Sequence, residues 1–197
     1  MDAVKEEIAV TAARLVVEEG AEYGDAKRRA LKQLRLSGRS ALPDNAQVEQ
    51  AVLEYIALFC ADTQPGELRA LRELALVWLE RLERFRPYLT GAVWRGTATR
   101  LSDIYLQLFC DDPKSAEIAL IDMGVRFEVS TVIGFQGTPV DALSVHAACP
   151  ALRAQVGIHL LVYDFDDLRG ALKPDEQGRR MRGDAAAVRN LLHDGAI

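Results

Sequence analysis

The chain has 197 residues, 49% of them hydrophobic and 27% charged, with 24 Lys and Arg against 29 Asp and Glu and a formal net charge of −5. That balance excludes a disordered, collagen-like or disulfide-stapled chain, and the acidic sign (isoelectric point about 5.3) argues against a broad non-specific nucleic-acid footprint. Every apolar stretch is cut by a charge before the ~18–20 residues a membrane helix needs, and the opening MDAVKEEIAV carries acids where a signal peptide needs basic and then apolar residues. A cytoplasmic protein with no membrane partner is expected.

The first 86 residues read as a helical region. Ile8, Ala12, Leu15 and Val16 recur at helical spacing until Glu18-Glu19-Gly20 ends the run. Asp25 is the expected cap of a second helix reaching Leu36, followed by the loop SGRSALPDN. Asn45 is the expected cap of a third, whose Val48, Val52, Tyr55, Ile56 and Phe59 form one apolar stripe. In the fourth, Leu68, Leu71, Ala75, Trp78, Leu82 and Phe85 make a narrow seam that Pro87 stops. That seam suits either an internal core or a partner, including a second copy of the chain.

From residue 87 to 197 the pattern turns to α+β. Short β-type runs cover Tyr88–Trp94 and Asp103–Cys110, and Asp111-Asp112-Pro113 closes the second. A helix over Lys114–Gly124 follows, then strands over Arg126–Ile133, Val140–Ala147 and Val156–Tyr163. Short helices near Asp166–Leu172 and Asp184–Leu192 complete the tail. Cys60, Cys110 and Cys149 are scattered with no CxxC, which predicts reduced thiols, and His146, His159 and His193 lack metal-ligand spacing. Zinc, disulfide and cysteine–histidine chemistry thus have no support. Lys27, Arg28, Arg29, Lys32, Arg35 and Arg39 form a basic cluster whose default reading is a solvated helix face, with an RNA or phosphate contact as the alternative. Arg179, Arg180 and Arg182 read as a flexible basic loop.

One segment carries chemistry: LTGAVWRGTATRLSDIYLQLF, Leu89 to Phe109. A strand ending in Gly91-Ala92 is followed by a ten-residue connection, Val93 to Ser102, and then by Asp103-Ile104-Tyr105 opening a second strand. Gly91 allows a tight turn and close backbone approach to phosphates, and residues i and i+2 of a strand share a face. The pattern resembles that of the DNA polymerase β-type nucleotidyltransferase superfamily, in which a hydrophobic residue, Gly and Gly or Ser precede, by about ten residues, an acid–hydrophobic–acid strand. The resemblance spans Phe85 to Asp164. It implies that the helical N-terminal region is followed by a small mixed-sheet nucleotidyltransferase-like core with flanking helices, and that this core holds a cleft for a nucleoside triphosphate with an RNA or protein acceptor.

By that resemblance Asp103 takes the first acid position and is the implied Mg²⁺ ligand, while Tyr105 stands at the second acid position. His159, in VGIHLLVY, takes the third, with Glu128 and Asp141 as other candidates. Asp103, Tyr105 and His159 are therefore the implied catalytic positions, and Gly91, Ala92, Arg95 and Arg100 the implied nucleotide contacts. Ala92 replaces a frequent Ser. A phenol and an imidazole are poor ligands for a hard ion such as Mg²⁺, so the resemblance implies a degenerate site with impaired catalysis. Trp94 reads as a packing residue rather than a base stacker, and Thr97 and Thr99 as turn residues.

Overall fold

The computed structural model describes residues 3–37, 40–175 and 177–194. Two compact units emerge, Met1–Leu68 with Thr97–Leu101, and Arg69–Gly96 with Ser102–Ile197.

The first unit holds α1 (Ala3–Glu19), α2 (Tyr23–Gln33), α3 (Asn45–Phe59) and the first turn of α4 (Gln64–Arg81). Its core is built from Ile8, Ala12, Leu15, Ala26, Ala30, Val48 and Val52, all essentially inaccessible. The alanines at these positions allow close helix approach. Gly20 closes α1 at φ +68, where a side chain would be strained and would meet the Leu101 carbonyl. Two expected caps are corrected. Asp44, not Asn45, caps α3: its carboxylate accepts the Gln47 N–H at 2.8 Å and the Gln47 side chain accepts the Asp44 N–H at 3.0 Å. The reciprocal box needs Gln three residues on, which Asp44 has and Asn45 lacks; Asn45 instead accepts from Lys27 at 2.9 Å. Asp25 lies inside α2, whose N-cap position is Glu22, and pairs with Arg28 and Arg29. α2 ends at Gln33, short of Leu36, because Arg35 turns left-handed at φ 54.

The basic cluster is partly answered within this unit. Arg29 also bonds Glu19, and Lys27 donates to Asn45 and to the Pro43 carbonyl. Arg39 lies outside the described residues. Buried Thr97 and Thr99 flank Ala98, whose carbonyl accepts from the buried Gln64 amide at 2.8 Å.

In the second unit α4 continues and its seam is core: Leu71, Ala75, Trp78, Leu82 and Phe85 are at most 4% exposed. The chain covers these side chains itself, whereas Leu68 at the head of the seam is half-buried. The helix also ends at Arg81, and Phe85 sits in a separate 3₁₀ turn, Glu83–Phe85.

The sheet is formed by β1 (Tyr88–Thr90), β2 (Ile104–Cys110), β3 (Glu128–Ile133), β4 (Pro139–Cys149), β5 (Ala154–Asp164) and β6 (Arg182–Gly183), in the order β3-β4-β5-β2-β1-β6. β2 and β5 run parallel; every other neighbouring pair is antiparallel. Helices α5 (Gly91–Arg95), α6 (Lys114–Asp122), α7 (Leu168–Ala171) and α8 (Ala185–Asp194) fill the connections and tail. Strand alternation separates two faces. Ile104, Leu106, Leu108, Leu143, Val145, Ile158 and Leu160 are buried on one of them. On the other, Phe109 stacks on Tyr163 at 5.5 Å with Ala171 of α7 beside them, so one end is apolar. The opposite end of that face stays polar.

Tyr88–Trp94 is not one strand. β1 stops at Thr90, and Gly91, at φ +73, turns the chain into α5. Trp94 is the packing residue expected: its ring lies so close to Gly183 that a Cβ there would fall 2.2 Å from it, and its N–H donates to the Arg180 carbonyl at 2.8 Å. Arg182 is no loop residue either. It lies in β6, half-buried, donating to the buried Gln107 at 2.7 Å with its guanidinium 4.8 Å from the centre of the Phe135 ring.

Candidate functional site

Register assembles the polar end of the sheet. Thr90 faces Tyr105, Tyr105 faces His159, His159 faces Ser144 and Ser144 faces Glu128, one row across five strands. Asp103, two residues before Tyr105, belongs to the next row with Gly157 and His146. His159, more than fifty residues away in sequence, is thus brought to Asp103 and Tyr105.

The contacts are specific. His159 Nε2 lies 3.1 Å from Asp103 Oδ2 and its Nδ1 lies 2.8 Å from the Ser144 hydroxyl, so both ring nitrogens are held. The other Asp103 oxygen accepts the Gly157 N–H at 3.1 Å. The Tyr105 ring lies over the imidazole, centroids 4.8 Å apart and planes 31° from parallel. The His159 bond, opposed by partial burial and reinforced by the charges of His159 and His146 and by the Gly157 N–H, holds the Asp103 carboxyl below its ordinary value. The site remains open: the Asp103 side chain is 46% exposed and that of His159 25%.

The implied phosphate contacts divide. Gly91 sits against Tyr105, where a Cβ would lie 3.6 Å from the ring, and half-buried Ala92 and Arg95 follow it in α5. Arg100 is exposed and belongs with the helical unit, where its N–H donates to Glu67 at 2.9 Å. The alternative acids stand apart. Glu128 shares the row but lies two strands beyond His159, roughly 10 Å. Asp141 pairs with Val162 and by alternation lies on the opposite face.

These donors do not make a two-metal centre: among the described residues a single carboxylate stands at this point of the sheet, and both its oxygens already accept hydrogen bonds. Among the described residues no group of three or more His, Cys, Asp or Glu side chains is placed to hold a metal. Two contributors escaped the sequence reading, Ser144 and Gly157. Both depend on register: only the pairings of β4 with β5 and of β2 with β5 bring them to His159 and Asp103. The alternation of LSVHAA in β4 with polar Ser144 and His146 on one face was the available signal.

Among the described residues no helix is long and apolar enough to cross a membrane. A scan against protein-family models and searches of curated proteins and of solved structures gave no significant match to this chain.

Proposed function

We propose that the polar end of the sheet binds a nucleotide without a metal ion, in a nucleotidyltransferase-like protein that has lost its two-metal centre. The observation that carries the reading is the placement of His159: it occupies the implied third-acid position, bonds to Asp103 and forms a partly exposed platform with Tyr105. Aromatic and imidazole faces stack on bases at about 1–3 kcal/mol each. A carboxylate held ionised accepts hydrogen bonds from base amino groups or sugar hydroxyls as readily as it binds a cation. The Gly91 turn against Tyr105 keeps the approach to the platform free of a side chain. The reading assigns binding and no metal-dependent transfer step.

Its test is a thermal melt of the protein with ATP, CTP, GTP and UTP in turn, each with Mg²⁺ and with EDTA. A ligand at about 100 times its Kd adds about 2.7 kcal/mol, a rise of roughly 5–11 °C in a chain of this size. The expected result is an equal shift in both buffers for at least one nucleotide, lost in Tyr105→Ala. A shift seen only with Mg²⁺ contradicts the reading, as does no shift at all.

A further inference from the structure

Among the described residues β3 is the outermost strand of the sheet, flanked by β4 alone. It is open along its length, with Val129 53% and Ile133 70% exposed. Sheets commonly blunt such an edge with Lys, Pro or a bulge. The sequence EVSTVI has neither Lys nor Pro and a single charge at its start.

The hairpin fixes which backbone groups the edge offers. Gly134 donates its N–H to the Thr138 carbonyl at 2.8 Å, and Gly137, at φ +78, donates to Gly134 at 3.0 Å. Residues 134 and 138 therefore close the ladder as a hydrogen-bonding pair. Such pairs alternate along an antiparallel ladder. Val132 with Val140, Ser130 with Ala142 and Glu128 with Ser144 are then the bonding pairs. Pro139, which has no N–H to give, falls opposite Ile133 at a non-bonding position, as this parity requires. The N–H and C=O groups of Val129, Thr131 and Ile133 consequently point away from β4, off the sheet.

We propose that β3 pairs antiparallel with β3 of a second copy of this chain, about a two-fold axis at Thr131, joining two sheets edge to edge. Self-complementarity singles out this occupant. The register centred on Thr131 engages all three outward residues on each strand. It sets Val129 against the partner's Ile133, so the exposed apolar side chains of one face become cross-strand neighbours, and it places Thr131 against its own equivalent, a favourable pair. Glu128 meets the partner's Gly134, so no like charges face one another.

Sedimentation velocity from about 10 µM to about 1 mM tests the pairing, a range suited to a short-edge interface. The wild-type mass rises with concentration from 21.7 kDa towards twice that value. Thr131→Pro removes an outward N–H and leaves the β3–β4 ladder intact, so it yields a folded monomer by circular dichroism. Val129→Lys is also monomeric and carries the test if the proline variant unfolds. Adding Ile133→Glu to Val129→Lys restores the dimer, because each new Lys then faces a Glu. A wild-type monomer throughout the range overturns the proposal, as does a dimer that survives both single variants. Failure of the charge pair to restore association overturns the register and the proposal with it.

Discussion

Gly157→Ala isolates the Asp103–His159 contact with one methyl group. A Cβ on residue 157 would stand 2.6 Å from Asp103 Oδ1, 2.7 Å from its Cγ and 3.0 Å from Oδ2. Optimal non-bonded separation is about 3.5 Å or more, so the carboxylate must retreat by roughly 1 Å. Retreat lengthens the 3.1 Å bond from the Gly157 N–H and the 3.1 Å contact with His159 together. Each is a charge-assisted bond, but the Asp103 side chain is 46% exposed and screened by solvent. The combined loss is therefore about 1 kcal/mol, or about 2–4 °C in melting temperature. In Asp103→Ala the space is vacant, and alanine in a strand is favoured over glycine by about 0.5–1 kcal/mol. The assay is a double-mutant cycle by thermal or urea melting at pH 7. Gly157→Ala is expected to destabilise the wild type and to be neutral or stabilising in the Asp103→Ala background. Equal destabilisation in both backgrounds would refute the geometry argued for Asp103.

The pH dependence follows from the same carboxyl. Its pKa is lowered in the folded state, so its stabilisation is present above the ordinary value of 3.8 and disappears as pH falls through the lower folded value; urea melts of wild type and Asp103→Asn should differ at pH 7, and the difference should shrink as pH is taken below 3.8. Gly183→Ala drives a methyl group into the Trp94 ring, 2.2 Å away, and should cost about 2–3 kcal/mol with a matching fall in melting temperature; an unchanged melt would contradict the packing. Arg72 donates to the Val93 and Trp94 carbonyls at 3.1 and 3.3 Å near the end of α5, so Arg72→Ala should cost about 1–3 kcal/mol by urea titration. In a thiol-reagent time course on native protein, half-buried Cys60 should react first. Cys110, whose thiol burial pushes up, should follow, and buried Cys149 should wait for unfolding; early Cys149 labelling would refute this order.

Much of the architecture was readable because it is local. Seams such as Val48-Val52-Ile56 and Leu71-Ala75-Trp78-Leu82 repeat at helical spacing over several turns, and VGIHLLVY alternates long enough to declare a strand. β1 did not declare its end, because three residues carry too little alternation to show where Gly91 breaks away. Arg182 looked like a loop cation because its two-residue strand exists only through pairing with β1. At the site, Asp103 and Tyr105 were paired by i, i+2 spacing alone, and His159 joined them through the resemblance. Ser144 and Gly157 enter through strand register, a tertiary property that composition and periodicity do not encode. Arg100 was grouped with the site by its sequence neighbours, whereas the five residues Thr97–Leu101 cluster with the helical unit.

Isothermal titration in EDTA tests most directly whether the proposed nucleotide site works without a metal. Each of the four ribonucleoside triphosphates is titrated into the wild type, and any that binds is repeated with Tyr105→Ala and with Mg²⁺ restored. Saturable one-to-one binding in EDTA, unchanged by Mg²⁺ and abolished in Tyr105→Ala, is the predicted result. Binding that requires Mg²⁺, binding indifferent to Tyr105, or no heat with any of the four would contradict it.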